Sequence, residues 1–259
     1  MDTPQSREEF ENWVKRKLEE RERHFAATGL ELDRLEIPGT FSKAGFEELC
    51  NHPLVKHLRP YFRNGTAYLK ERPSAPHAAS HGFITKRLIS VLSKNDSEDF
   101  IELQGSTRNW WNQNRSKEAD QSFAPTHRTL QGIPCPDPTL VVEVGYKEKL
   151  VDLEDDARGW LTHTETRLVL IIKIFGLAVN NTFRLRVILY GRPALTKIKG
   201  WEAGTWQERG WATPALVGPG NPLYCLKIPI AELFHGVARP AGLANVDSID
   251  FDLYQLQRD

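Results

Sequence analysis

The sequence has no net charge, because its 34 lysines and arginines equal its 34 aspartates and glutamates. That excludes a uniformly basic coat for nucleic acid but leaves room for a local basic patch. Cysteine is scarce. Cys50, Cys135 and Cys225 are odd in number and far apart, with no CxxC pair and no zinc spacing. Neither a disulfide framework nor a structural zinc fits them, and a reducing intracellular compartment, cytoplasm or nucleus, is the expectation. No apolar run approaches the about 18 residues that a membrane helix needs, and the opening residues Met1 to Phe10 hold no apolar signal core. No membrane association is expected. Internal repeats and low-complexity tracts are absent as well.

What remains is an ordinary globular composition of 259 residues, 40% hydrophobic and 26% charged. By surface scaling a chain of this mass buries roughly 73% of its extended surface, so its core needs no crosslink. Charge is spread unevenly. Lys56 to Arg72 holds five basic residues against the single acid Glu71, and Asn181 to Gly200 holds five with no acid. If nucleic acid binds, phosphate contacts at these two segments predict strong salt dependence.

Local patterns give a coarse order of elements. Ser6 with Glu9 reads as a capping box before a helix bearing Phe10, Trp13, Val14, Leu18 and Phe25. A short helix is expected over Ser42 to Cys50, a strand over Thr66 to Leu69, and a third helix capped by Ser80. Leu140 to Val144 and Val169 to Ile174 are almost continuously apolar, as strands buried on both faces are. Between them Leu153, Ala157, Trp160 and Leu161 form a helical stripe. A strand over Phe183 to Tyr190 follows. Gly200 to Asn221, carrying Trp201, Trp206 and Trp211, reads as a loop-rich insertion, and Ile249 to Leu256 as a final strand. The expectation is one α/β domain over residues 66–259, a mixed central sheet flanked by helices, with an N-terminal helical extension over 1–65.

The chemistry points to two acids. Glu143 stands inside the run Leu140 to Val144, where a carboxylate is costly unless it is compensated. It must reach the strand end, pair with an arginine or lysine, or meet a cation. Asp120 sits beside the preceding strand. On adjacent strands the two carboxylates are expected to lie within about 6 Å and to share one hard divalent cation. Asp137 competes for the role, but it lies between two prolines too close to Glu143 for the chain to return on a neighbouring strand. It reads as a turn residue. Asp152, Glu154, Asp155 and Asp156 open a helix, where negative charge is favourable without a metal.

The stretch from His77 to Ile174 resembles the PD-(D/E)XK nuclease superfamily, and within it the Uma-type restriction endonuclease-like proteins, in a style closest to fungal relatives. Pro76-His77-Ala78-Ala79-Ser80-His81 looks like the family's His-bearing helix start. Ala119-Asp120 stands at its Pro-Asp, Leu140 to Val144 matches its Glu strand, and Leu150 to Leu161 its following helix. The resemblance implies a restriction endonuclease-like fold and hydrolysis of phosphodiester bonds in nucleic acid, DNA rather than RNA, with Mg²⁺ or Mn²⁺. It implies Asp120, Glu143 and the Val144 carbonyl as metal ligands, and it allows a homodimer. His81, Trp111 and Arg115 are the expected substrate contacts. The family's lysine two residues after the Glu is replaced by Gly145. Lys147, of the same strand parity as Glu143, and Lys173, on the next strand, are the two candidates to supply it, and Lys147 is placed first. Without such a lysine the fold would serve as a catalytically degenerate binding or assembly module. An unrelated small-molecule enzyme on a similar sheet is the third reading.

Overall fold

In the computed structural model of the chain, the two most apolar runs, Leu140–Gly145 and Leu168–Phe175, lie side by side as parallel strands joined by the helix Leu150–His163. The structure describes residues 7–28, 35–55, 60–69, 75–105, 107–146, 148–175, 184–192, 196–204 and 219–258. The chain divides into two compact units, one of residues 1–73 with 108–118 and the other of residues 74–107 with 119–259.

The first unit begins with α1 (Arg7–Thr28), β1 (Leu35–Ile37), α2 (Lys43–Asn51), β2 (Pro60–Arg63) and β3 (Thr66–Leu69). The chain then contributes α3 (Ala75–Ser93) and β4 (Ile101–Leu103) to the second unit, and returns to the first for β5 (Arg108–Asn112) and β6 (Arg115–Glu118). These strands form an antiparallel sheet in the order β1-β3-β2-β6-β5. Asn64 and Gly65, at φ 51° and 82°, close the β2–β3 hairpin in the left-handed conformations that a two-residue primed turn requires. Val14, Ile37, Phe46, Phe62 and Leu69 make the unit's core. The expected short helix is α2, and the Ser42 hydroxyl caps it by accepting from Gly45 N at 3.1 Å. Ser6 lies outside the described residues. The N-terminal part is therefore not a helical extension ending at residue 65. It is a sheet with two helices that also takes in Thr66–Leu69 and Arg108–Glu118.

The second unit continues with β7 (Gln121–Pro125), β8 (Thr129–Leu130), β9 (Ile133–Pro134), β10 (Leu140–Gly145), α4 (Leu150–His163) and β11 (Leu168–Phe175). After these come β12 (Arg184–Gly191), β13 (Thr196–Gly204), β14 (Cys225–Pro229), α5 (Ile230–Leu233), β15 (Ser248–Asp252) and α6 (Leu253–Arg258). Six strands form a mixed sheet in the order β13-β12-β11-β10-β7-β4, in which β10 and β11 run parallel and the other neighbours antiparallel. The mixed α/β class and the helix-flanked mixed sheet are thus as expected. Alternation along the strands divides the faces. Leu140, Val142 and Val144 join Phe83, Ile84 and Leu88 of α3 and Ile249 and Phe251 of β15 in one core. Val141, Glu143 and Gly145 face α4.

Three local expectations are corrected. Ser80 lies inside α3, not at its start, and its hydroxyl donates to Pro76 O at 2.8 Å. Proline is tolerated in a first helical turn, so Pro76 did not delay the helix. Trp201 is not in a loop: it sits on β13, buried, with its indole N–H donating to Leu223 O at 2.9 Å. Trp206 and Trp211 lie outside the described residues. The last strand ends at Asp252 and gives way to α6.

Beyond the N-terminal end of β10, Arg128 is 3% exposed and donates to three backbone carbonyls, His235 O at 3.0 Å, Asp137 O at 2.6 Å and Glu165 O at 2.8 Å. Burial holds its guanidinium below its usual pKa range. Replacing it with leucine strands three acceptors at once. Urea denaturation of Arg128→Leu is expected to show a loss of about 4 kcal/mol or more, since each of the three hydrogen bonds to the charged group contributes about 1.5–3 kcal/mol. A loss below about 1 kcal/mol would mean that water replaces the guanidinium.

Candidate acidic site at the end of strand β10

Glu143 is fully buried, and its Oε1 accepts from the indole N–H of Trp160 at 2.7 Å. The helical stripe read from the sequence explains this contact, because Leu153, Ala157 and Trp160 all turn toward the sheet and Trp160 arrives over Glu143. Tyr190 helps to fix the helix: its hydroxyl donates to Glu154 Oε1 at 2.9 Å. Burial and that carboxylate push its pKa up to about 12.

Asp120 stands at the bend immediately before β7, which pairs with β10 through Leu140↔Phe123, Val141↔Ser122 and Val142↔Gln121. Because β7 begins one residue after Asp120, the side chain takes over where the ladder stops. Its Oδ2 accepts from Val144 N at 2.7 Å. The same oxygen lies 3.2 Å from His77 Nε2 in the first turns of α3, and both side chains are at most 5% exposed. Asp120, at the bend before β7, and Glu143, on β10, are therefore both tied to the same short length of β10. Asp120 lies in line with the ladder and Glu143 lies under α4.

His81 follows His77 by one helical turn, half-buried, with the two rings edge to face at 5.6 Å. His77 is within the helix, not ahead of it as a cap at Ser80 would have placed it. Trp111 and Arg115, the other expected substrate contacts, belong to the first unit, on β5 and β6, whereas the acids belong to the second. The Arg115 guanidinium lies 4.4 Å from the centre of the buried Trp111 ring, so one indole face is covered by Arg115. Lys147 lies outside the described residues. Asp137 is a loop brace: its Oδ2 accepts from Glu165 N at 2.8 Å, and its carbonyl accepts from Arg128.

A side chain at position 145 would meet Leu153 of α4. A Cβ at Gly145 would fall 2.6 Å from Leu153 Cδ1, and Leu153 is fully buried in α4. Gly145→Ala is expected to destabilise the fold by about 1–3 kcal/mol, the usual cost of overpacking. Thermal unfolding measures it, and an unchanged midpoint would show that Leu153 yields.

Two carboxylates fit a hard divalent cation, since Mg²⁺ is commonly held by one or two carboxylates and completes its shell with water and substrate phosphate. Among the described residues no three His, Cys, Asp or Glu side chains gather into a fuller cage. Val144 reaches the site through its N–H, donated to Asp120.

The basic segment Asn181 to Gly200 is less available than its sequence suggests. Arg184 lies 3.6 Å from Glu202, Arg186 pairs with the same Glu202, and Arg192 pairs with Glu165 at 3.0 Å. Lys197 and Lys199 stand exposed on the edge strand β13, as lysines that discourage strand pairing do. Most of the basic residues between Lys56 and Arg72 lie outside the described residues. Among the described residues, no helix is long and apolar enough to cross a membrane.

No family model matches the chain, and no curated protein matches it. Among solved structures, the fold is similar to a candidate nuclease belonging to DUF820 from Anabaena variabilis. The likeness has a TM-score of 0.45 and 13% sequence identity, over 63% of this chain and 84% of that one.

Proposed function

We propose that this protein is a Mg²⁺- or Mn²⁺-dependent endonuclease that hydrolyses phosphodiester bonds of nucleic acid, DNA rather than RNA, through Asp120 and Glu143. One observation supports the reading: two buried carboxylates are tied to consecutive residues of β10, Asp120 through Val144 N–H and Glu143 as the residue before it, each with its own donor. Burying two such charges is costly unless they are compensated, and a divalent cation compensates both. When bound there, the cation would polarise a phosphoryl oxygen and lower the pKa of an attacking water. The protein's own part is orientation. Trp160 N–H holds the Glu143 carboxylate, while Val144 N–H and His77 hold Asp120, as partners behind metal-binding groups commonly do. His81 is the substrate-contacting histidine in this reading, and Lys197 and Lys199 are exposed cations of the basic segment that are open to phosphate.

A catalytically degenerate binding module is the second reading, which the glycine at position 145 in place of a lysine would suit. Incubation of the purified protein with single- and double-stranded DNA and RNA separates the two. Cleavage with Mg²⁺ or Mn²⁺ that EDTA suppresses is the expected result. Nucleic-acid binding without cleavage under any of these conditions would favour the module and overturn the nuclease.

A further inference from the structure

We infer that the face of the first unit's sheet turned away from its helices binds a single strand of nucleic acid, stacking a base on Tyr68 and meeting phosphate with Arg63 and Arg115. The inference rests on the nuclease reading for its class of partner and adds the surface and the form of strand. Alternation along the strands assigns the faces. Ile37, Phe62, Ala67 and Leu69 pack with Val14 and Phe46 of the helices. On the opposite face the register sets Tyr68 between Glu36 and Tyr61, and Arg63 beside Arg115. Lys117 shares that face, with its ammonium 5.7 Å from the centre of the Tyr61 ring.

Two features of this face suit a single strand rather than a duplex. Tyr61 and Tyr68 are direct partners in the ladder and half-buried, and their rings stack with 5.0 Å between centres and 17° between planes. An unpaired base extends such a stack through its own π-face, which in a duplex is already engaged by the neighbouring base pairs. Trp111, the aromatic expected to meet substrate, is 6% exposed and covered on one side by Arg115, so the tyrosines take the base contact instead. The second feature is charge. Among the described residues this face carries the cations Arg63, Arg115 and Lys117, and one acid, Glu36, on the edge strand β1. Arg63 and Arg115 are direct cross-strand partners, and like charges so placed repel. A phosphate seated between them turns that repulsion into attraction and releases counterions.

Fluorescence anisotropy of the full chain in EDTA measures binding apart from metal-dependent cleavage. The probes are a labelled oligothymidylate of about 12 nucleotides and a duplex of the same length. The unaltered protein is expected to bind the single strand about tenfold or more tightly than the duplex, because only unpaired bases offer a free π-face. Tyr68→Ala is expected to weaken single-strand binding about 5- to 150-fold, the loss of one stacked base, while Tyr68→Phe keeps the ring and binds within about twofold of normal. Arg63→Gln is expected to lower the slope of log affinity against log salt by about 0.7, the share of one phosphate on a single strand. Thermal unfolding of each variant accompanies the titrations, since a cross-strand tyrosine pair also stabilises a sheet. Where Tyr68→Ala does not fold, Arg63→Gln decides. A Tyr68→Ala protein that loses unfolding temperature but not affinity overturns the inference, as does an unchanged salt slope in Arg63→Gln or equal affinity for the two probes. Cleavage by the unaltered protein alongside any of these results leaves the nuclease reading intact. Single-strand binding that Tyr68→Ala weakens, in a protein that cleaves under no condition, overturns the nuclease and leaves the surface.

Discussion

Glu143→Gln is expected to reduce Mg²⁺-dependent cleavage by about 10³-fold or more while leaving the fold intact. The amide keeps an oxygen to accept from Trp160 N–H, so the buried contact at 2.7 Å survives and only the charge is removed. A metal contributes several kcal/mol of transition-state stabilisation, and each 1.36 kcal/mol is tenfold in rate. Because the carboxylate is fully buried, neutralising it relieves desolvation, and the unfolding temperature is expected to stay level or rise. Activity lost while stability is kept would mark Glu143 as functional. If Glu143→Gln cleaves as the unaltered protein does, the acid has no part in the chemistry and the run around it is only a strand with a satisfied polar group.

The parts of the site that were legible in the sequence are those that periodicity and spacing control. Strands β10 and β11 were expected within one residue of their observed bounds, and the stripe Leu153 to Leu161 lies inside α4, because a strand buried on both faces leaves a continuous apolar run and a helix packed on one side leaves a stripe. The choice of Asp120 over Asp137 followed from chain geometry, and the structure gives Asp137 to the loop near Glu165 and Arg128. The contact between Trp160 and Glu143 was half legible. The stripe put Trp160 toward the sheet, but which strand residue its N–H would meet depends on how the helix crosses, and that is set by tertiary packing.

The first unit was legible in its two helices and in the strand Thr66–Leu69, and its remaining strands were not, for a different reason. Its strands are three to five residues long and mix polar with apolar positions, as in Arg115–Glu118, so no window is long enough to show an alternation. One signal was present: Asn64-Gly65 between Pro60–Arg63 and Thr66–Leu69 is a strong short-range mark of a hairpin. The unit is also discontinuous, since β5 and β6 return to it after α3 and β4, and no linear reading of composition reveals that. At Gly145 the missing lysine looked like a simple departure from a pattern. What a side chain there would meet, the Leu153 side chain, comes from the next helix and is set by tertiary packing.

Asp120→Asn completes the case for a shared cation, and the informative quantity is how it combines with Glu143→Gln. Asparagine keeps a side-chain oxygen for Val144 N–H, so the junction between Asp120 and β10 is preserved and the negative charge alone is lost. The single change is expected to lower cleavage by about 10³-fold and to weaken Mn²⁺ binding, because a cation held by two carboxylates needs both. If the acids act as one ligand pair, the first neutralisation removes the functional cation and leaves the second little to destroy. The double variant is then expected to retain about the same residual rate as either single variant, the non-additivity typical of groups that work as a unit. Independent roles would instead multiply, to a loss of about 10⁶-fold. Losses that multiply, or an Asp120→Asn protein with unchanged Mn²⁺ affinity, would separate the two carboxylates. Asp120 would then be a cap on the β10 main chain, held from the other side by His77, and Glu143 would have to act without it.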